Sequence, residues 1–273
     1  MATMLFGTLD HMQPIPYPES GMGWDHIRDT EETALLDGGR HVYEAPVPYK
    51  KFSLQYKGGT SGLQHIIDTY TGVYGRGPYY ALDFNYAGGN QLPTRWASAY
   101  MLKEVVGAWC APLLIPSTAA LAGETVSFIN IGQFTELGES LILPCVPEKP
   151  TYLRVWGSRT GTAAVRVYLR DSSTGEWTAG TDIVPSPTPA DSVIISPADA
   201  TAGKYNAIKL QLFIPTGSTL VLDHLNLMDT SGVTSRKPGL GVGAMKFVTT
   251  LSGNIQTKAF DRIGLALDLV EVE

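Results

Sequence analysis

The residue types able to do chemistry are present in this chain but are not grouped for it. Five histidines, His11, His26, His41, His65 and His224, are scattered through 273 residues without metal-ligand spacing. Three follow an acid directly, as Asp10-His11, Asp25-His26 and Asp223-His224. Neighbours on a strand point to opposite faces, so no such pair forms a dyad by itself. Cys110 and Cys145 are the only cysteines, and no CxxC or Cys/His spacing of a zinc site accompanies them. Two lone thiols in a cytosolic product serve as small buried apolar residues more often than as a disulfide.

Gly239-Leu240-Gly241-Val242-Gly243-Ala244 matches the G-x-G-x-x-A pattern, with Asp261 downstream. A dinucleotide site also needs a buried strand before the glycines and a helix after them. Arg236-Lys237-Pro238 precedes this run and the strand-like Lys246-Phe247-Val248-Thr249 follows, so the segment reads as a hinge. No GxSxG elbow occurs, and nothing marks a pair of the 26 acids as a glycosidase couple. The expectation is a chain without catalytic residues, cofactor or metal.

One constellation could bind. Arg166, Tyr168 and Arg170 share a parity opposite Val165 and Val167, and Tyr152, Arg154 and Trp156 share one on a second strand. With Trp177 and Phe213 they offer arginines among aromatic rings, a surface that stacks on sugars or anchors a protein partner. The alternative is that the same face is covered by another sheet or a domain interface, since apolar residues are more often core than site.

The elements that must position these residues are mostly strands. Gly 29 and Pro 18 punctuate the chain heavily, which favours many short strands over long helices. Before residue 60, Pro14-Ile15-Pro16-Tyr17-Pro18 and Pro46-Val47-Pro48-Tyr49 belong at edges, arms or loops, because proline cannot donate to a central ladder. Lys51 to Tyr56 alternates as a half-buried strand does. One helix is expected, capped by Ser61 with Gln64, striped by Leu63, Ile66, Ile67 and Tyr70, and ended at Gly72 and Gly75.

From about residue 117, strand-like runs recur at 126–131, 140–143, 152–156, 163–170, 192–195, 208–214 and 220–228. Short strands at such spacing indicate a β-sandwich. Residues 179–204 read as long loops around the strand at Ser192–Ile195. Two further strands, Lys246–Leu251 and Arg262–Val272, close the chain, the second with an apparent change of parity at Leu269–Val270 that suggests a β-bulge.

Bulk properties narrow the function classes. A net charge of −6 without any Lys/Arg run argues against neutralising phosphates, so nucleic-acid binding is not expected. MATMLFGTLD has no basic n-region, and the longest apolar stretch, Val105 to Pro116, is too short to span a bilayer. A soluble protein made in a cytoplasm is expected, with no membrane partner. Ten of the 13 tyrosines fall in the first hundred residues, a bias suited to protein interfaces.

Two segments carry a resemblance. Gly77-Pro78-Tyr79-Tyr80-Ala81-Leu82-Asp83, then Asn90-Gln91-Leu92-Pro93-Thr94-Arg95-Trp96-Ala97-Ser98, resemble the "G-P-x-x-x-x-D" and "N-x-L-P-x-x-W-A" stretches of minor tail proteins from long-tailed phages of actinobacteria. The closing Gly264 to Glu273 is similar to their terminal strand. The middle, from Leu143-Pro144 through Tyr152–Trp156 to Leu220–Leu225, is similar to carbohydrate-binding, galectin-like jelly rolls.

The arrangement resembles the distal tail protein of such phages. That resemblance implies an all-β fold with residues 1–115 plus 231–273 as a tail-ring domain and 116–230 as an inserted jelly-roll sandwich. It implies a homo-oligomeric ring, usually hexameric, in the virion tail tip, with the tail tube protein and the tail-tip hub proteins as partners. A host-surface glycan is the alternative partner, held by Tyr152, Arg154, Trp156, Arg166, Tyr168 and Trp177.

Overall fold

The computed structural model of the chain describes residues 3–18, 24–27, 30–34, 40–44, 49–56, 63–83, 89–97, 113–116, 124–129, 140–240, 243–248, 252–255 and 263–271. The protein is all-β with short helices. It divides into two compact units, one of residues 1–8, 13–79 and 244–273, the other of residues 9–12 and 80–243.

In the first unit β1 (Thr3–Gly7) pairs antiparallel with β2 (Gln13–Pro16), and the proline-rich run ends up in a strand with a single described partner. β3 (Trp24–Ile27) pairs with β6 (Tyr49–Tyr56), while β4 (Thr30–Ala34) and β5 (Arg40–Glu44) form a separate hairpin. In β6 the alternation read from sequence buries Phe52, Leu54 and Tyr56 on one face.

Helix α1 (Leu63–Thr71) follows. Its predicted Ser61 cap lies outside the described residues, and Gln64 donates to Asp68 at 2.7 Å. The stripe is broader than expected: Leu63, His65, Ile66 and Thr69 are buried, whereas Ile67 and Tyr70 are half-buried. His65 Nε2 donates to the Phe6 carbonyl at 2.8 Å and Thr69 Oγ1 to the His65 carbonyl at 2.7 Å, which lets a polar pair sit in the packed face. Gly72 at φ +83° ends the helix in the left-handed conformation that glycine accepts without strain.

Residues from the far end complete this unit. β19 (Ile263–Glu271) lies between β6 and the shorter β17 (Met245–Phe247) and β18 (Ser252–Ile255). The change of parity expected at Leu269–Val270 is absent. β19 runs in unbroken register against β6, from Leu265 opposite Tyr56 to Val270 opposite Lys51. The inward place after Leu269 is filled by Glu271, whose Oε2 accepts from the Lys50 amide at 3.3 Å.

The second unit opens with β7 (Tyr80–Asp83) and the one-turn α2 (Thr94–Ala97), and then builds the predicted β-sandwich. β8 (Leu113–Pro116), β9 (Glu124–Ile129), β11 (Thr151–Thr160), β14 (Ser192–Ile195) and β16 (Thr219–Met228) form a five-stranded sheet in the order β14-β11-β16-β9-β8. β10 (Ser140–Pro144), β12 (Ala164–Asp171), β13 (Thr181–Ile183) and β15 (Tyr205–Phe213) form a four-stranded one in the order β10-β15-β12-β13. The pairings within both sheets are antiparallel.

The core lies between their inner faces. Leu153, Val155, Leu220, Leu222, Leu225 and Leu227 meet Val165, Val167, Ile208, Leu210 and Leu212 there. Leu92, Trp96 and Ala97, well before the first sandwich strand, join the same cluster. Cys145 is a buried free thiol whose pKa burial pushes up to about 12, and Cys110 lies outside the described residues.

The stretch 179–204 is more ordered in secondary structure than a loop. It holds β13 and also helix α3 (Pro197–Thr201), where the Ser196 hydroxyl accepts from the Asp199 amide at 3.1 Å and donates to its carboxylate at 2.8 Å. Ser196-Pro197-Ala198-Asp199 is a helix-start signature, with proline at the first helical position.

Candidate functional site

Strand parity places the two halves of the predicted binding face on opposite sides of the sandwich. β11 belongs to the five-stranded sheet and β12 to the four-stranded one. Since Leu153 and Val155 point inward, Tyr152, Arg154 and Trp156 point away from the core on one outer surface. Val165 and Val167 likewise send Arg166, Tyr168 and Arg170 to the other outer surface. The six candidate residues therefore do not form one site.

The β11 half is covered by its own chain. Register sets Tyr152 opposite Met228, Arg154 opposite Asn226 and Trp156 opposite His224 on β16. Trp156 is 5% exposed and His224 and Asn226 are 1% exposed, although all three face outward. The segment after β16, residues 231–240, folds back over them. Asn226 Nδ2 donates to the Ser235 carbonyl at 2.9 Å, and Asn226 Oδ1 accepts from the Lys237 amide at 3.1 Å. His224 Nε2 reaches the Lys237 carbonyl at 2.8 Å and Asn226 Oδ1 at 3.0 Å. Both oxygens only accept, so Nε2 carries the proton of the neutral ring.

Asn90 knits a third segment into this network. Its Nδ2 faces the carbonyls of Leu225 at 2.8 Å and Lys237 at 3.0 Å and Asn226 Oδ1 at 3.2 Å, while its Oδ1 accepts from the amides of Leu227 at 2.9 Å and Leu92 at 3.2 Å. Charges frame the patch. Arg236 pairs with the buried Asp223 at 2.6 Å and lies 5.7 Å from the Trp156 ring centroid. Arg154 is paired with Asp191, which also accepts from the Gly232 amide at 2.7 Å. Burial is the main cause holding the His224 pKa below its ordinary value.

Gly239, from the glycine-rich run, is part of the same construction. A Cβ there would stand 2.6 Å from the Leu92 carbonyl oxygen and 2.7 Å from that of Pro93, so glycine allows the two backbones to approach. A strand, β17, follows the run, as the reading against a dinucleotide site expects.

The β12 half stays open. Arg166 makes a two-pronged pair with Asp182 on β13, at 2.6 and 3.0 Å, and stacks 3.5 Å above the Phe213 ring. That pair raises the Arg166 pKa further above its already high range. Lys209 Nζ lies 4.8 Å over the Tyr168 ring, and Arg170 pairs with Asp10 at 2.6 Å. Trp177, bridged through its backbone to Arg170, is 36% exposed. The surface thus presents aromatic rings whose arginine and lysine neighbours are already engaged.

Among the remaining candidates, the side chains of His26 and His41 lie outside the described residues. Among the described residues no cluster of His, Cys, Asp and Glu is arranged to hold a metal ion. The functional-looking residues whose grouping sequence reasoning missed are Asn90, His224, Asn226, Arg236 and Lys237, with Asn90 and Lys237 meeting across 147 positions. No protein-family model matches the chain, and no curated protein matches it in sequence.

Proposed function

We propose that the chain is a non-catalytic structural component of a phage tail tip, forming a homo-oligomeric ring that joins the tail tube to the tip and its receptor-binding parts. The observation that carries this reading is the discontinuous first unit, in which β19 from the end of the chain pairs with β6 while the sandwich occupies the interval. In a subunit built this way the last described strand completes the unit in which the chain starts, and the insert is free to diverge in role. The tail-protein-like stretch around Asn90 supports the reading further, because Asn90, Leu92, Trp96 and Ala97 are all buried and hold the insert's construction together. A closed ring needs two unlike patches that meet around an axis.

Electron microscopy and sedimentation of the purified chain test the proposal. A closed ring, six-fold as the resemblance implies, together with presence in virions, is the expected outcome. A chain that stays monomeric at high concentration and is absent from particles overturns it.

A second reading, recognition of a host-surface glycan, is favoured by one observation: Tyr168, Phe213 and Trp177 remain at least partly exposed on the outer side of the four-stranded sheet. Aromatic faces stack on sugar rings. Tyr168→Ala with Trp177→Ala should then abolish binding to host cell wall, whereas Trp156→Ala, on the covered side, tests stability instead. Unchanged cell-wall binding in the double variant removes this reading.

A further inference from the structure

We propose that residues 231–240 are a releasable strap over the outer face of the five-stranded sheet, held shut by the neutral imidazole of His224 and let go when that ring takes up a second proton. The inference concerns a conformational device within the sandwich unit and stands whether or not the chain is a tail component.

The strap is held by polar contacts. Along the strap Ser231, Gly232, Thr234, Ser235 and Pro238 are exposed, Val233, Arg236, Lys237 and Leu240 are half-buried and Gly239, which has no side chain, is buried, so little apolar burial fixes it. Three of the bonds that fix it meet at Lys237: its carbonyl receives Asn90 Nδ2 and His224 Nε2, and its amide donates to Asn226 Oδ1. Others are the Gly232 amide on Asp191, Asn226 Nδ2 on the Ser235 carbonyl, the Arg236–Asp223 pair and the Leu240 amide on the Asn90 carbonyl. Such a hold depends on each donor and acceptor keeping its role.

His224 is where that condition fails in acid. Its Nδ1 is buried and has no hydrogen-bond partner, so the neutral ring leaves only an unused lone pair there. A proton at Nδ1 becomes a buried N–H without an acceptor, and it brings a charge into a site 1% exposed. The Asp223 carboxylate favours a charged ring, but burial outweighs it. On its own strand the neighbouring Asp223 is paired with Arg236. On the strap the cations are Arg236 and Lys237, and Arg236 lies by the Trp156 ring whose centroid is 5.8 Å from that of His224. On β11 Arg154 is matched by Asp191, and residues 89–92 carry no charge.

The direction follows from linkage. Burial depresses the His224 pKa in the closed state, so the open state binds the proton more readily. The closed strap is therefore fully stabilised above the ordinary histidine value of about 6.5 and loses that stabilisation as pH falls below it. Release uncovers Trp156, Asn226 and His224 on the five-stranded sheet, while residues 89–92 stay bonded to β16 through Asn90 and Gln91.

The test is amide hydrogen exchange of the full chain by mass spectrometry, between about pH 8 and 5 and corrected for intrinsic exchange. The strap amides of Gly232, Lys237 and Leu240 should open more as pH falls, by up to about tenfold per unit below the ordinary histidine range. Amides of β12 and β15 should hold. His224→Gln, which keeps a neutral donor but cannot protonate, should flatten the dependence. Strap protection that does not change with pH, an equal dependence in His224→Gln, or simultaneous loss in β12 and β15 overturns the proposal. Should His224→Gln fail to fold, the wild-type protein still decides by NMR: His224 and the strap amides must titrate with one midpoint, below that of exposed histidine, and separate midpoints overturn it.

Discussion

The Asn90 side-chain amide has five polar partners: its two N–H groups face three acceptors, and its oxygen accepts from two amides. Asn90→Ala takes the acceptor away from the buried Leu227 and Leu92 amides. Each buried group so orphaned costs about 1–3 kcal/mol, so the variant should lose roughly 3 kcal/mol or more in urea unfolding. Asn90→Asp should be worse still, since it sets a carboxylate against three acceptors. Asp268 makes a smaller, pH-dependent contribution. The Ser53 hydroxyl at 2.6 Å, then Lys51 at 3.1 Å, hold its carboxyl below the usual range. A depressed carboxylate stabilises above its unfolded value of about 4 and stops doing so as pH falls through its folded value. Asp268→Asn should therefore flatten part of the acid limb of stability, by about 0.5 kcal/mol for so exposed a pair, as urea midpoints at pH 7 and pH 3 would show. Single residues were the least legible scale. His224 stands in sequence as one scattered histidine, because its partners Asn226 and Lys237 acquire meaning only once the chain folds back.

At the scale of elements, alternation found most sandwich strands because a strand with one buried face writes its period into the sequence. The phase slip, by contrast, was read in the wrong strand. β19 keeps its register, whereas β16 breaks its own: Trp156 faces His224 but Gly157 faces Leu222, leaving Asp223 as the extra residue. The leucines at 220 and 222, then 225 and 227, carry that slip openly, and the bulge lets all four face the core. It also turns Asp223 toward Arg236. A Cβ on Gly157 would stand 2.0 Å from the Val221 carbonyl oxygen, so no side chain fits without moving the strand pair. Gly157→Ala should thus cost about 2 kcal/mol or more, against about ±0.5 kcal/mol for an ordinary surface change. A matched Gly203→Ala, where no atom lies within 4 Å but φ is +60°, isolates the conformational part of the cost from the steric part. Equal shifts of the two melting midpoints would mean that the close approach at the bulge carries no energy.

For the whole molecule, apolar parity marked 263–271 as a strand, but its return to the first unit was expected only from the family resemblance, and the extent of each unit was not legible. The boundaries expected near residues 115 and 230 leave out the segments that hold the sandwich from outside, namely 89–97 and 231–240. Those segments carry little periodic pattern. Their attachment rests on Asn90, on Gly239 and on Trp96, 2% exposed in the sandwich core, none of which a period can reveal. Energetics make the difference testable. Burial of a Trp or Leu side chain is worth about 1.5–3 kcal/mol each, and domains are stable by only about 5–15 kcal/mol. A fragment of residues 116–230 lacks Leu92, Trp96 and Ala97 from its core and leaves the outer faces of Trp156, His224 and Asn226 bare. It should therefore be insoluble or unfold without a cooperative transition, while a fragment of residues 80–243 should unfold cooperatively. Calorimetry on both decides: a shorter fragment as stable as the longer one would mean that the strap and the Asn90 segment merely lie on a sandwich complete without them.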